Sequence, residues 1–261
     1  MSAEPQAGAP FPAGTGISHL AVYDWTAPDG LTGGSAHVHL ACTEGYVVLG
    51  GAGRLQTLSA DGFAETPLAP MTVAWFSPGV VHRLINDGGL QILVVMQNAG
   101  LPEAGDSVLT FPPDHLSGPE AYAAAASLGA ASQEAALAAA ARRRAQLAVQ
   151  GFLALRERLE RDGPGALEDF YAAAARLVRG QVPAWRGTWQ HGPLVTARRT
   201  GEQLDLLAAG RWEYLAAGRV TVLDPPGSRT FGMCGRLATY PASPARGASQ
   251  REARPGPAAP A

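Results

Sequence analysis

Lysine is absent: all 20 basic residues of this 261-residue chain are arginine. Without an ε-amine there is no Schiff-base chemistry, no anchor for pyridoxal phosphate and no lysine-bearing phosphate loop. The chain is crowded with Ala, Gly and Pro, so biased genomic base composition explains the missing lysine better than mechanism does. Cysteine is almost as scarce. Cys42 and Cys234 are far apart, with no CxxC spacing and no third thiol to complete a zinc site, and both read as reduced. Charge is sparse, at 16% of residues and a formal net of −2, which leaves no electrostatic case for nucleic acid. The one dense basic run, Arg142, Arg143 and Arg144, lies in a helical pattern without interleaved aromatics and reads as a solvated helix face. No apolar run approaches the ~20 residues needed to span a bilayer. Met1 to Gly16 lacks a cationic start followed by an apolar block and so does not look like a secretory signal. A cytoplasmic enzyme or binding protein is the expectation, with no nucleic-acid and no membrane partner.

What the chain does have is 46% hydrophobic residues, enough for a sizeable core, divided between two unlike parts. After a flexible N-terminal segment, 1–16, the stretch to about 112 reads as short apolar strands. Leu20–Tyr23, Tyr46–Leu49, Met71–Phe76 and Leu90–Met96 are punctuated by Gly33-Gly34, Gly50-Gly51, Asp61-Gly62 and Asp87-Gly88-Gly89. Many short strands at even spacing predict a sandwich or barrel.

From 113 to about 240 the pattern is helical. Ser117, Pro119 and Glu120 form a helix-start signature. Ala141, Ala145, Ala148, Phe152, Leu155 and Leu159 then fall on one face of a long helix, which Gly163-Pro164-Gly165 stops. A second helix carries Leu167, Phe170, Tyr171, Ala174, Leu177 and Val178, and a third pattern runs from about Gly201 to Leu215. Arg219–Leu223 alternates like a strand and Thr230–Tyr240 is another candidate, so the chain can return to the sheet before a Pro/Ala/Arg/Gly-rich tail, 241–261, expected to be disordered.

The chemistry-bearing residues lie in the strand-rich third. His37 and His39 are separated by one residue, so on a strand both imidazoles project from the same face and can converge on one ion. Glu44 follows at a distance that lets the chain turn into a neighbouring strand, and a Pro78-Gly79 turn leads to His82. Three imidazoles and a carboxylate suit Fe, Ni, Cu, Mn or Zn and are too nitrogen-rich for Ca or Mg. His19, His115 and His191 have no partner at ligand spacing.

In this stretch the chain resembles the cupin superfamily, whose two motifs are HxH-x(3–4)-E-x6-G and PxG-x2-H-x3-N. His37, His39, Glu44 and Gly51 match the first, and Gly79, His82 and Asn86 the second. The chain departs at Leu31, where a glycine is expected, and at Ser77-Pro78, where the proline is displaced by one. The resemblance covers roughly Ile17 to Gln97. It implies a mainly β fold, a cupin-type jelly-roll barrel over 17–112 followed by a helical C-terminal region.

The same resemblance implies one divalent transition metal per chain on His37, His39, Glu44 and His82. A dioxygenase with a mononuclear Fe, Ni or Cu centre and Glu44 as catalytic base is the first functional expectation. A metal-dependent sugar or keto–enol isomerase is the second, and a non-catalytic small-molecule-binding cupin the third. Tyr46, Val48, Met96 and Gln97 are candidate cavity residues, and Asn86 serves either a turn or the substrate. The Ala-rich helices fit packing against the barrel or against a second copy in a homodimer, and Trp185, Trp189, Trp212 and Tyr214 serve either as a lid or as an inter-helix core.

Overall fold

The computed structural model describes residues 11–130 and 132–241. The tail expected over 241–261 and the first ten residues of the N-terminal segment therefore lie outside the described residues, apart from Pro241. Nine strands precede and follow a block of helices: β1 Gly16–Val22, β2 His37–His39, β3 Glu44–Ser59, β4 Gly62–Leu68, β5 Val73–Phe76, β6 Val81–Met96, β7 Ser107–Leu109, β8 Thr230–Phe231 and β9 Gly235–Thr239. Between β7 and β8 lie α1 Pro119–Ala126, α2 Glu134–Asp162, α3 Gly165–Val178, α4 Val182–His191 and α5 Pro193–Ala208.

The two longest strands organise everything else. β3 and β6 pair antiparallel from Glu44↔Met96 to Leu58↔Val81, with register shifts around Gly50 and Ala52. Gly50-Gly51 and Gly88-Gly89, expected from the sequence to end strands, are instead bulges inside them. A bulge bends a strand without ending its pairing. Gly51 has φ 75°, and a Cβ there would collide with the Gly89 carbonyl, so the bend needs glycine.

Each half of the bent pair recruits its own neighbours. The Glu44–Val47 half pairs with β5, and the facing end of β6 pairs with β1, then β9 and β8. The Gly53–Ser59 half pairs with β4, and the start of β6 pairs with β2 and then β7. Two faces of one sheet thus fold toward each other over a single core that includes Tyr46, Val48, Leu55, Leu84 and Ile92. β1 alternates buried and half-buried residues, as a strand with one face on a core should.

β2 is buried on both faces. The stripe foreseen along α2 is the buried one, from Ala141 to Leu159. Its approach to the barrel is close enough that a Cβ on Gly151 would collide with the Thr110 carbonyl oxygen. The Thr110 hydroxyl donates to the Ala148 carbonyl at 2.7 Å, and the Arg156 guanidinium lies 3.7 Å over the Phe63 ring. α3 buries Leu167, Phe170, Ala174, Leu177 and Val178, all expected.

Four sequence readings need correction. Gly118, not Ser117, precedes the first turn of α1, and the Ser117 hydroxyl donates to Asp114 O because a 3₁₀ turn at Pro113–Leu116 takes up the chain first. The third helical pattern begins far earlier than Gly201, as α4 and α5. Proline at the start of each sets φ without requiring an N–H, which apolar periodicity does not register. Arg219–Leu223 forms no strand: Val220 and Val222 are exposed, and no neighbour pairs with them. The Arg142–Arg144 run is not a uniformly solvated face, because Arg144 turns inward while Arg142 and Arg143 remain exposed.

Candidate metal centre

The four expected ligands come from both halves of the barrel. His37 and His39 project from β2, and His82 is the register partner of His37 on β6. Glu44 opens β3 on the other half, beside Met96 and Phe76. One ligand atom from each residue lies within 4.8 Å of the others, and all four side chains are buried. The turn that delivers His82 is fixed from outside, since Gly79 donates its N–H to the His39 carbonyl at 3.0 Å and its own carbonyl accepts the Tyr171 hydroxyl at 2.6 Å.

The rear nitrogen of each imidazole is occupied by an acceptor. His37 Nδ1 lies 3.3 Å from Ser35 O, His82 Nδ1 3.1 Å from Val80 O, and His39 Nδ1 3.1 Å from Asp106 Oδ2. A nitrogen facing an oxygen acceptor must carry the proton, so a neutral ring turns a lone pair outward on Nε2. Those lone pairs point at one another: His37 Nε2 and His82 Nε2 are 3.1 Å apart. Glu44 Oε2 lies 3.1 Å from His82 Nε2 and 3.2 Å from His39 Nε2, yet it makes no properly directed hydrogen bond.

Buried lone pairs aimed at a common point repel unless a cation sits between them, so the donor set fits a divalent metal. For metal–nitrogen bonds of ~2.0–2.1 Å, adjacent ligand atoms stand roughly 3.0–3.4 Å apart, which the contacts above match.

Electrostatics of the metal-free chain agree. Burial and the neighbouring imidazoles hold His37 well below its ordinary value. Burial also pulls His39 down, but Glu44 and Asp106 outweigh it and raise the ring to about 9. Burial favours a neutral Glu44, and His39 and His82 overcome it, keeping the carboxylate well below its usual range. Without a metal the cluster would thus hold a proton on His39, which metal binding would displace.

Asp106, which stands behind His39, is a residue of the site that motif reasoning missed. It has no exposed surface, orients His39, and accepts the Leu40 and Ala41 amides at 3.2 and 2.6 Å. Its only sequence signal is an acid just before an apolar strand, which is too common to single out.

His37, His39 and Glu44 line a cavity of about 310 Å³, from which His82 is buried away. Leu20, Val94 and Met96 wall it from the barrel, and Phe231, Met233 and Leu237 from the returning C-terminal strands. Arg144 reaches in from α2. Of the residues named from sequence, Met96 lines the cavity, whereas Gln97 faces outward and accepts the Thr43 amide. Tyr46 and Val48 are buried with the parity of Glu44 but fill the core. Asn86 ties a turn, accepting the Gly88 and Leu90 amides and donating to Val22 O and Tyr23 O. Trp185 is buried against Ala104, its indole N–H donating to that carbonyl, while Trp212 is exposed, so the aromatics are no lid over this cavity. Cys42 and Cys234 are both free thiols. His19, His115 and His191 stand outside the cluster.

No family model matches the chain, and no curated protein matches it. Solved structures overlay only part of it. One is a capsular polysaccharide assembling protein from Staphylococcus aureus, 16% identical over 36% of this chain and 23% of that one, at TM-score 0.25. A conserved protein with a double-stranded beta-helix domain from Klebsiella pneumoniae is 18% identical over 36% of this chain and 81% of that one, at TM-score 0.27. A putative sugar phosphate isomerase from Acidithiobacillus ferrooxidans is 26% identical over 32% and 49% of the two chains, at TM-score 0.26. At that overlap they carry no argument. The mainly β fold with a helical C-terminal region rests on the strand registers, and the cupin resemblance on the two motifs.

Proposed function

We propose that the protein is a metal-dependent enzyme acting on a small organic molecule, with dioxygenase chemistry at a mononuclear Fe, Ni or Cu centre as the leading reaction class. The observation that carries this reading is the convergence of the Nε2 atoms of His37, His39 and His82 and Glu44 Oε2 on one point beside a cavity that His37, His39 and Glu44 line. The bound metal would supply Lewis acidity and dioxygen activation there. His37, His39 and His82 hold it with neutral rings, each fixed by its rear hydrogen bond. Glu44, ionised at neutral pH, accepts a proton from an acidic enol-type hydroxyl at Oε2. The apolar walls exclude water and orient the rest of the substrate.

A proton-shuttling isomerase is the second reading, and Glu44 is the acid–base group beside the metal for it too, since Glu103, the other carboxylate lining the cavity, is exposed and already accepts the Gly100 amide. Elemental analysis of protein purified without added metal is expected to find about one transition-metal ion per chain. Dioxygen uptake should then appear with a panel of enol and flavonol compounds. Absence of metal overturns the whole reading. Sugar isomerisation without dioxygen uptake replaces the reaction class, and tight ligand binding with neither activity makes the protein a binder.

A further inference from the structure

Arg144 is the cation of the cavity, and it has no acidic partner. It extends from α2 into the space that His37, His39 and Glu44 open onto. Among the described residues it forms no ion pair. Nη2 donates to the Gly232 carbonyl at 2.6 Å, Nη1 reaches the Ala126 carbonyl at only 3.5 Å, and Nε is cut off from solvent with no hydrogen bond. Its other polar neighbours do not compensate it. Burial holds the Cys234 thiol and the Tyr23 hydroxyl protonated, so neither supplies a negative charge. A guanidinium taken out of water without a counter-charge is costly, and such groups are normally paired.

The fold nevertheless places this one at the cavity wall. Arg83, which is fully buried, shows the ordinary solution: its guanidinium grips Asp29 through two bonds of 2.6 and 3.1 Å. The planar, five-donor fork of arginine suits a carboxylate in particular.

We propose that Arg144 is the anchor for a carboxylate on the natural ligand, so that the molecule turned over in this cavity is a small apolar monocarboxylic acid. Its carboxylate sits against α2 and its reacting end faces the His37, His39, Glu44 and His82 cluster. The cavity is at the small end of the ~300–1,000 Å³ typical of ligand sites, which limits the acid to a short apolar body. This substrate class rests on the reading of the cavity as the pocket of a metal enzyme, but the role of Arg144 can be measured without turnover.

Titration calorimetry with 3-phenylpropionate and its neutral isostere 3-phenylpropionamide, on the full chain as purified, reads the preference directly. The carboxylate should bind at least about tenfold more tightly than the amide, as a charge-assisted hydrogen bond predicts. In Arg144→Gln the preference should vanish while metal content by elemental analysis stays unchanged. Arg144→Lys keeps the charge but loses the fork, and should show an intermediate preference. It stands in should the glutamine variant fail to fold, as judged by thermal melting. Equal binding of the two probes by the wild-type chain, no carboxylate binding, or a full preference retained in the variants would overturn the proposal. The last outcome would put the carboxylate on the metal instead. A wild-type chain that lacks metal yet keeps an Arg144-dependent preference would overturn the enzymatic reading and leave the anchor standing.

Discussion

The barrel and the helical region solve different problems with the same chain. In the barrel, strand register places side chains: His37 faces His82 because their backbones pair, and Glu44 opposes them because β3 and β6 bend together around their glycines. In the helical region, placement depends on close approach, with Gly151 against Thr110, Tyr171 on the Gly79 turn and Arg144 at the cavity. The difference teaches that chemistry and recognition have separate origins here. The barrel offers the four residues that could hold a metal, and α2 with the returning strands offers the wall and the cation.

The sharpest break between the two regions should come from replacing both His37 and His39 by Ala. Metal content should fall to background while helical circular dichroism persists, because α2 and α3 bury Phe152, Leu155 and Phe170, none of which lines the cavity over the candidate ligands. Loss of the helical signal along with the metal would show that the two parts do not separate.

Removing the metal by chelation should next expose the proton on His39. A ring raised from 6.5 to about 9 binds a proton in the folded state that the unfolded chain has released, so the contribution of His39 is full below pH 6.5 and is lost as pH rises toward 9, by up to ~3 kcal/mol. His37, neutral when folded and protonated when unfolded only at about pH 6.5 and below, opposes the trend at that edge and not above it. The metal-loaded protein should show no such fall, which thermal melting at a series of pH values checks.

Gly151→Ala should act on the seam, forcing α2 off the Thr110 carbonyl and destabilising by about 1–3 kcal/mol in urea unfolding. Metal affinity should change little, since no ligand lies on α2. Asp106→Asn should do the reverse, weakening metal binding by roughly 10–100-fold in chelator competition while the melting temperature of the metal-free chain moves less. At the small end, Arg156→Ala removes an i,i+4 pair with Glu160 and should cost only a few tenths of a kcal/mol, plus what its cation–π contact with Phe63 adds.

Legibility in the sequence followed the range of the interactions. His37, His39, Glu44 and His82 were readable because two strand residues of equal parity must share a face and the motif spacing carries the rest. The α2 stripe was readable because the helical period is local. Gly50-Gly51 misled, since a bulge and a turn present the same residues, and only pairing across β3 and β6 tells them apart. α4 was missed because its proline start and mixed face gave no clear period. Asp106 and Arg144 were missed for a stronger reason: each acts on a partner far away in the chain, His39 and Gly232 respectively, and no local pattern records that.

The sequence by itself therefore determined which four residues cluster as candidate ligands, the β-then-helix order and the exclusion of lysine chemistry. Each follows from residue type and from spacings of a few residues. Tertiary structure alone decided which ring nitrogens face inward, that an acid stands behind His39, and that one arginine of an ordinary basic run enters the cavity. Those outcomes depend on docking a helix and two late strands onto a barrel, where burial makes an unpaired charge costly and a lone pair directional.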